Sequence, residues 1–182
     1  MNTLSRRGVT GLLLSLMIGA GVTHAQAQAA TTSGTALGPV DSYFVTQTSL
    51  GTPFQVDAGR LAETKSGIAA VRAYAQLMVS SHITVNNALQ KILKEKAPVP
   101  PPTLLQAAYA TMVSTLQHQT GRAFDSDYVR GQVNYQNANA ALYQYEIANG
   151  TDSDLKDFAR QTLPKIEDHL ARALKLRSGA PK

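Results

Sequence analysis

Of the 182 residues in this chain, 43% are hydrophobic and only 16% carry a charge, which fits one folded domain with a sizeable core and excludes a disordered chain. The formal net charge of +5 includes Arg6 and Arg7; without them the balance is 15 basic against 12 acidic side chains, or +3, with no concentrated basic block, and this excludes nucleic acid as a partner. The chain has no cysteine, so packing alone must hold the fold, without disulfides or a lipid-anchored cysteine.

The N-terminal segment has the pattern of a signal peptide. Residues 1–7 are short and positively charged, residues 8–22 form an apolar run shorter than the ~20 residues of a membrane span, and small-x-small triplets suit cleavage near Ala27 or Ala29. We therefore predict a signal peptide over 1–27 and an exported, periplasmic product without a transmembrane segment. The adjacent arginines resemble the start of a twin-arginine signal, but the remaining residues favour the general secretory route.

The first helix follows a flexible leader. Residues 28–38 are rich in small and polar residues and predict this leader, and Pro39 then begins the helix. Gly51-Thr52-Pro53 interrupts the helical pattern, so the helix either kinks there or restarts with Thr52 as its cap. Ser66-Gly67 ends it and caps the second helix. Since only a tight turn separates the two helices, we expect them to form an antiparallel pair.

The second helix, Gly67–Lys96, shows the clearest amphipathic pattern in the chain. Its apolar residues recur every three or four positions, and the one polar residue in this stripe, His82, lies at the midpoint. Such a stripe predicts a helix that packs against other helices and is roughly 45 Å long at 1.5 Å per residue. The stripe consists of Val71, Ala75, Met78, His82, Val85, Leu89 and Ile92.

Two further helices are predicted after a proline-rich spacer at residues 97–102. Thr103 caps a short third helix that runs to about Gln117. Asp125 is a good cap for a fourth helix over 126–149, which ends at an Asn-Gly pair.

The last helix is capped by Asp152 or Ser153 and contains Pro164, which should bend it. No segment alternates strictly enough between apolar and polar residues to form a strand. The fold class is therefore all-α, with one domain over 39–177 and a disordered tail over 178–182.

Four polar residues come to a similar depth in the interior when the long helices are placed on a common axis: Gln55, His82, Tyr135 and His169. Metal and cofactor sites of helical bundles are built in layers of this kind. Equally, buried polar side chains that hydrogen-bond to one another fix the register of packed helices. The sequence leaves both interpretations open.

A metal in this layer would be a single copper or iron ion. A carboxylate-bridged metal pair needs Glu-x-x-His on two helices, and no glutamate here precedes a histidine by three residues. Met78 and His82 lie four residues apart on one helix face, and with His169 they would offer a thioether and two imidazoles, a set suited to copper(I). Tyr135 in place of Met78 would suit oxidised iron or copper. Alternatively, Met78 and both histidines are core residues.

No motif for catalysis by side chains is evident. The chain lacks a Gly-x-Ser-x-Gly elbow, a phosphate-binding glycine loop and a cysteine nucleophile. We therefore favour a non-enzymatic structural or binding module, with a periplasmic metal-binding protein as the alternative. A protein partner or a homo-oligomer is compatible with either function.

The order of several motifs resembles an exported bacterial family. The motifs are FQVDAGRLA at 54–62, VRAYA leading to MVSSH over 71–82, FDSDY at 124–128, and Leu-Pro followed by HLARA over 163–173. This is the ferritin-like "domain of unknown function" family, often labelled predicted outer-membrane protein, and the resemblance covers about 39–176. It implies a ferritin-like antiparallel four-helix bundle with an additional short helix, and no settled activity.

The resemblance also bears on the polar layer. Family members typically have Glu at the position of Gln55, Asp-His at Ser81-His82, and His at Tyr135. If the family's Glu and three His form a metal site, this chain retains only His82 and His169 from that set. The resemblance thus implies the bundle fold, together with a weakened metal site in this member.

Overall fold

Five α-helices make up almost all of the chain that the computed structural model describes, namely residues 36–94, 96 and 103–179. The all-α prediction is thereby confirmed. The predicted signal peptide and the proline-rich spacer lie outside the described residues, as do most of the leader and residues 180–182. None of the described helices is long and apolar enough to cross a membrane. The helices are α1 (Pro39–Lys65), α2 (Ala69–Leu93), α3 (Thr103–Gln117), α4 (Gly121–Asn149) and α5 (Ser153–Gly179).

The four long helices contact one another in a closed ring. α1 packs most extensively on α2, and α4 on α5; each pair is joined by only three residues and runs antiparallel. α1 also packs on α4, and α2 on α5, while α3 packs mainly on α1. Lys96, just after α2, forms ion pairs with Asp152 (2.7 Å) and Asp154 (3.1 Å) at the start of α5, so α2 and α5 are antiparallel as well.

Helix α1 runs without a break through the segment where the sequence predicts a kink or a restart. Thr52 lies inside the helix, and its hydroxyl donates a hydrogen bond to the Thr48 carbonyl (3.4 Å) instead of capping a new helix. Pro53 has no N–H to donate, but its fixed φ is helical, so the helix continues with one hydrogen bond fewer. Asp41 in the first turn and Lys65 in the last turn stabilise α1 through the helix dipole.

Helix α5 begins where the sequence places it. Asp152, rather than Ser153, is the cap: its Oδ1 accepts a hydrogen bond from the Leu155 N–H at 3.0 Å. The helix continues through Pro164 and ends at Gly179, two residues beyond the expected end of the domain. The bounds of α3 agree with the predicted Thr103–Gln117.

Helix α4 starts five residues earlier than predicted, so Asp125 is not its cap. Gly121 has a φ of 57°, a conformation that glycine adopts at little cost, and it redirects the chain after Thr120. The added turn buries Phe124 completely. Burial of this ring favours the early start, and it leaves Asp125 inside the fold at 7% exposure.

Two apolar clusters fill the interior, one toward each end of the long helices. Met78 and Phe124 belong to the first cluster. The second contains Phe44 and Tyr143, whose rings meet edge to face with centroids 4.8 Å apart. Between the clusters lies the central polar layer, to which all four long helices contribute. Its side chains are buried except that of Tyr135, which is half-buried. The layer consists of Gln55 from α1, His82 from α2, Gln132, Tyr135 and Gln136 from α4, and His169 from α5.

Two fully buried carboxyl groups, Asp41 and Glu146, hold the start of α1 against the link between α4 and α5. Asp41 Oδ1 accepts hydrogen bonds from the N–H groups of Thr151 and Asp152, both at 3.0 Å, and Oδ2 accepts one from the Thr151 hydroxyl at 2.6 Å. Glu146 lies beside Asp41, and a Cβ at Gly150 would overlap its carboxyl group. Asp41 and Glu146 are called the carboxyl pair below.

The two acids of the carboxyl pair differ in protonation. Burial alone would raise the pKa of Asp41, but hydrogen bonds from Thr151, Asp152 and Glu146 outweigh burial and lower this pKa below its ordinary value. Burial, together with the hydrogen bond to Asp41 and the Asp41 charge, raises the pKa of Glu146 to about 7. No donor among the described residues reaches either Glu146 oxygen. A proton on Glu146, donated to Asp41, therefore satisfies both groups.

Candidate functional site

Three of the four residues predicted for the central polar layer bring their rings together. His82 on α2 and His169 on α5 are 6% and 5% exposed, and their ring centroids are 6.1 Å apart. The ring of Tyr135, from α4, meets that of His82 in an edge arrangement at 5.8 Å. Three different helices thus place these rings side by side between the two apolar clusters.

Gln55, the fourth predicted member, is fully buried and pairs with an amide of α4. Gln132 Nε2 donates a hydrogen bond to Gln55 Oε1 at 3.0 Å. One turn further along α4, Gln136 Nε2 donates to Met78 Sδ at 3.3 Å. The layer therefore contains two amides beyond the predicted residues, and the Met78 thioether acts both as a core side chain and as an acceptor.

Both imidazoles of the layer are neutral at neutral pH. Burial, with a smaller effect from the neighbouring His169, lowers the pKa of His82 to about 3. Burial also lowers the pKa of His169 to about 4; Asp168 opposes this shift, whereas Arg172 and Lys165 add to it. A neutral imidazole keeps one ring nitrogen free to accept a hydrogen bond or to bind a metal.

Several polar atoms of the layer lack a hydrogen-bond partner within the described residues. Each unpaired buried polar atom lowers the free energy of unfolding by about 1–3 kcal/mol. Water or an ion bound in the layer would pair with these atoms. The described part of the chain contains no group of three or more His, Asp or Glu residues that could hold a metal. This donor set does not suit hard cations, which prefer carboxylate oxygens. The unpaired atoms are His82 Nε2, His169 Nδ1, Gln55 Nε2, Gln132 Oε1 and Gln136 Oε1.

The Tyr135 hydroxyl lies directly against the backbone of α1. A Cβ at Gly51 would overlap the hydroxyl oxygen, so glycine at this position makes room for the phenol. Burial, with smaller effects from Tyr109 and Tyr143, raises the pKa of Tyr135 far above its ordinary value, and the phenol stays protonated. Since a protonated phenol is a poor metal ligand, a third donor beside the histidines is better supplied by Met78.

Gly51→Ala should destabilise the protein by about 1–3 kcal/mol, because the added methyl group displaces the Tyr135 ring in a packed interior. This loss outweighs the gain in helix propensity, which is at most about 1 kcal/mol. In a Tyr135→Phe background, which lacks the hydroxyl, the same substitution should cost at least about 1 kcal/mol less. Urea unfolding of the four proteins measures this coupling, and strictly additive effects would contradict the close contact.

A surface cleft of about 500 Å³ between α2 and α5 leads to His169. Ser81 and Thr84 of α2 line it from one side, and Lys165 and Asp168 of α5 from the other. The cleft offers a route by which water or a small ion approaches His169.

Among the residues of the central polar layer and the carboxyl pair, sequence reasoning misses four. Gln132 and Gln136 lie four residues apart on the face of α4 that also carries Tyr128, so a search for amides within an apolar stripe would find them. No sequence pattern indicates that Asp41 and Glu146 are buried, since polar residues are common near the ends of helices.

Residues 24–176 match the family described as "Domain of unknown function (DUF4142)". No curated protein and no solved structure matches the chain. The family match covers well over half of the 182 residues and includes every residue of the central polar layer and of the carboxyl pair. The chain therefore belongs to this family of proteins with a domain of unknown function.

Proposed function

We propose that this protein is a non-enzymatic helical module with a structural or binding role, in which the central polar layer fixes the register of the four long helices. The observation that carries the proposal is the neutrality of the layer: two uncharged imidazoles, a protonated phenol and three amides meet there. A general acid or base works best with a pKa near the operating pH, and these groups lie far from it. Buried polar groups that pair in only one alignment specify that alignment.

We also propose that the four long helices form a ferritin-like bundle. In that arrangement two antiparallel helix pairs are connected by one long crossover. Here α1 and α2 form one pair, α4 and α5 form the other, and residues 94–120, which include α3, connect them. The contacts of α1 with α4 and of α2 with α5 support this order of helices. α3 then corresponds to the additional short helix.

Export to the periplasm is part of the same proposal. It is supported by the charged residues 1–7, the apolar run over 8–22 and the small residues near Ala27 and Ala29. A chain without cysteine is compatible with an oxidising compartment, since no unwanted disulfide can form.

Copper(I) binding is a second candidate function, favoured by one specific observation. His82 and His169 are neighbours, and each has a buried ring nitrogen without a partner among the described residues. With metal–nitrogen bonds of about 2 Å, ring centroids 6.1 Å apart leave room for one ion between the two imidazoles. The buried Met78 thioether supplies a soft third donor. His82, His169 and Met78 are the residues that would hold the ion.

Thermal unfolding with and without copper(I), zinc and iron(II) separates the two functions. A metal at a hundred times its dissociation constant adds ~2.7 kcal/mol of stability, which raises the melting temperature of a domain of this size by several degrees. If the layer is structural, no metal raises the midpoint, and His82→Ala costs about 1–3 kcal/mol whether metal is present or not.

The double variant His82→Ala/His169→Ala and the control His118→Ala make this test specific. His118 is exposed near the end of α3, so its loss removes a surface imidazole without touching the layer. A copper(I) shift that persists in the His118→Ala protein and disappears in the double variant establishes the metal site and rejects the purely structural function. A shift lost with His118→Ala alone rejects the buried site.

A further inference from the structure

An open cavity of about 1340 Å³ lies at the end of the fold where α2 and α4 begin and α5 ends. Much of its wall is apolar and continues the core. Its volume exceeds the roughly 300–1,000 Å³ of ordinary small-molecule sites, which suits a long, flexible apolar chain better than a compact ligand. We call it the end cavity. Its apolar wall includes Ile68, Val71, Leu77, Val129 and Leu176.

The rim of the end cavity is basic. Arg172, Lys175 and Arg177 follow one another along the last turns of α5, and all three are exposed. Arg172 pairs with Asp168 at 2.7 Å, whereas Lys175 and Arg177 form no ion pair with any residue that the structure describes. The first turns of α2 and α4, at the same end, contain no acidic side chain that would offset these charges. An anionic group complements this rim.

One acidic side chain in the wall of the end cavity restricts which head group a bound ligand can carry. Asp125 is 7% exposed, and its Oδ1 has no hydrogen-bond donor within the described residues. A buried carboxylate oxygen needs a donor, and it would repel a ligand that is simply anionic. A head group with an ammonium next to a phosphate satisfies Asp125 and the cations of α5 at the same time.

We propose that the end cavity binds one single-chain phospholipid whose phosphate head group carries an amine, of the lysophosphatidylethanolamine type. The acyl chain lies along the apolar wall, where its burial supplies most of the affinity. The phosphate accepts hydrogen bonds from Lys175 and Arg177. The ammonium pairs with the carboxyl group of Asp125, which lines the cavity. This site is separate from the central polar layer and needs no metal there.

Isothermal titration of the purified protein with lysophosphatidylethanolamine, below the concentration at which it forms micelles, tests the proposal. One lipid should bind per chain. Lysophosphatidic acid with the same acyl chain keeps the phosphate but lacks the amine, and it should bind at least about tenfold more weakly. Asp125→Asn should abolish this preference by weakening the first lipid and strengthening the second.

Two further variants test the basic rim. Lys175→Ala/Arg177→Ala should weaken both lipids by about tenfold or more, because each loses a charge-assisted contact to phosphate. Arg160→Ala is the matched control, since Arg160 is exposed on the same helix and lies outside the cavity. It should leave both affinities unchanged.

The absence of lipid binding would overturn the proposal, and so would an Arg160→Ala effect as large as that of the double variant. Equal or tighter binding of lysophosphatidic acid by the unmodified protein would reject the assigned head group. If Asp125→Asn fails to fold, the two lipids and the double variant still decide the question. A dimer that persists when lipid is added would place a second copy of the chain in the cavity instead.

Discussion

Asp41→Ala should lower the free energy of unfolding by about 3–5 kcal/mol at pH 7. The substitution removes the acceptor for the N–H groups of Thr151 and Asp152 and for the Thr151 hydroxyl, and it leaves two N–H groups of the link without their partner. It also takes away the group to which protonated Glu146 donates. Equilibrium urea unfolding of the variant and the unmodified protein measures the loss.

Asp154→Ala is the matched control for this prediction. Asp154 is a carboxylate at the start of α5 and pairs with Lys96, but its side chain is 68% exposed. Exposed ion pairs contribute at most about 1 kcal/mol, so its removal should have little effect. If Asp41→Ala were no more harmful than Asp154→Ala, the carboxyl pair would not anchor the start of α1.

Helix positions follow largely from local chemistry, and for that reason the sequence predicts most of them. Pro39 begins α1, Asp152 caps α5, and α3 has the predicted bounds. The start of α4 is different, because Asp125 has every local property of a cap and is nevertheless part of the helix. Burial of Phe124 decides that boundary, and burial depends on the other helices, which a local pattern does not contain.

The central polar layer is partly predictable for a related reason. His82 and His169 interrupt apolar stripes, so their inward position can be read from helical spacing alone. The hydrogen-bond partners of Gln55 and Met78 are harder to predict from the sequence. Helix α4 carries many polar residues, and spacing alone does not say which of its amides contact which partners. The carboxyl pair is the extreme case, because it exists only where α1, the end of α4 and the following link converge.

The contact between Asp41 and Glu146 also predicts that the stability of the fold depends on pH in an unusual way. The pKa of Glu146 is raised from 4.5 to about 7 in the folded protein. The stabilisation from its proton is therefore complete below about pH 4.5 and is lost as the pH rises through 7. Between these limits the unfolding free energy should fall by up to about 1.4 kcal/mol per pH unit from this group. Asp152 strengthens the effect by its negative charge, whereas Lys156 weakens it.

Glu146→Gln isolates the contribution of the Glu146 proton to stability, because an amide can donate a hydrogen bond to Asp41 at every pH. The variant should match the unmodified protein near pH 5 and exceed its stability by about 2–3 kcal/mol at pH 8, as measured by urea unfolding across the range. His82 and His169 act in the opposite direction: their lowered pKa values remove stability as the pH falls below 6.5, but they do so equally in both proteins. Glu167→Gln changes the same functional group at an exposed position of α5 and serves as the control. Parallel pH profiles for the unmodified protein and Glu146→Gln would show that Glu146 does not hold the shared proton.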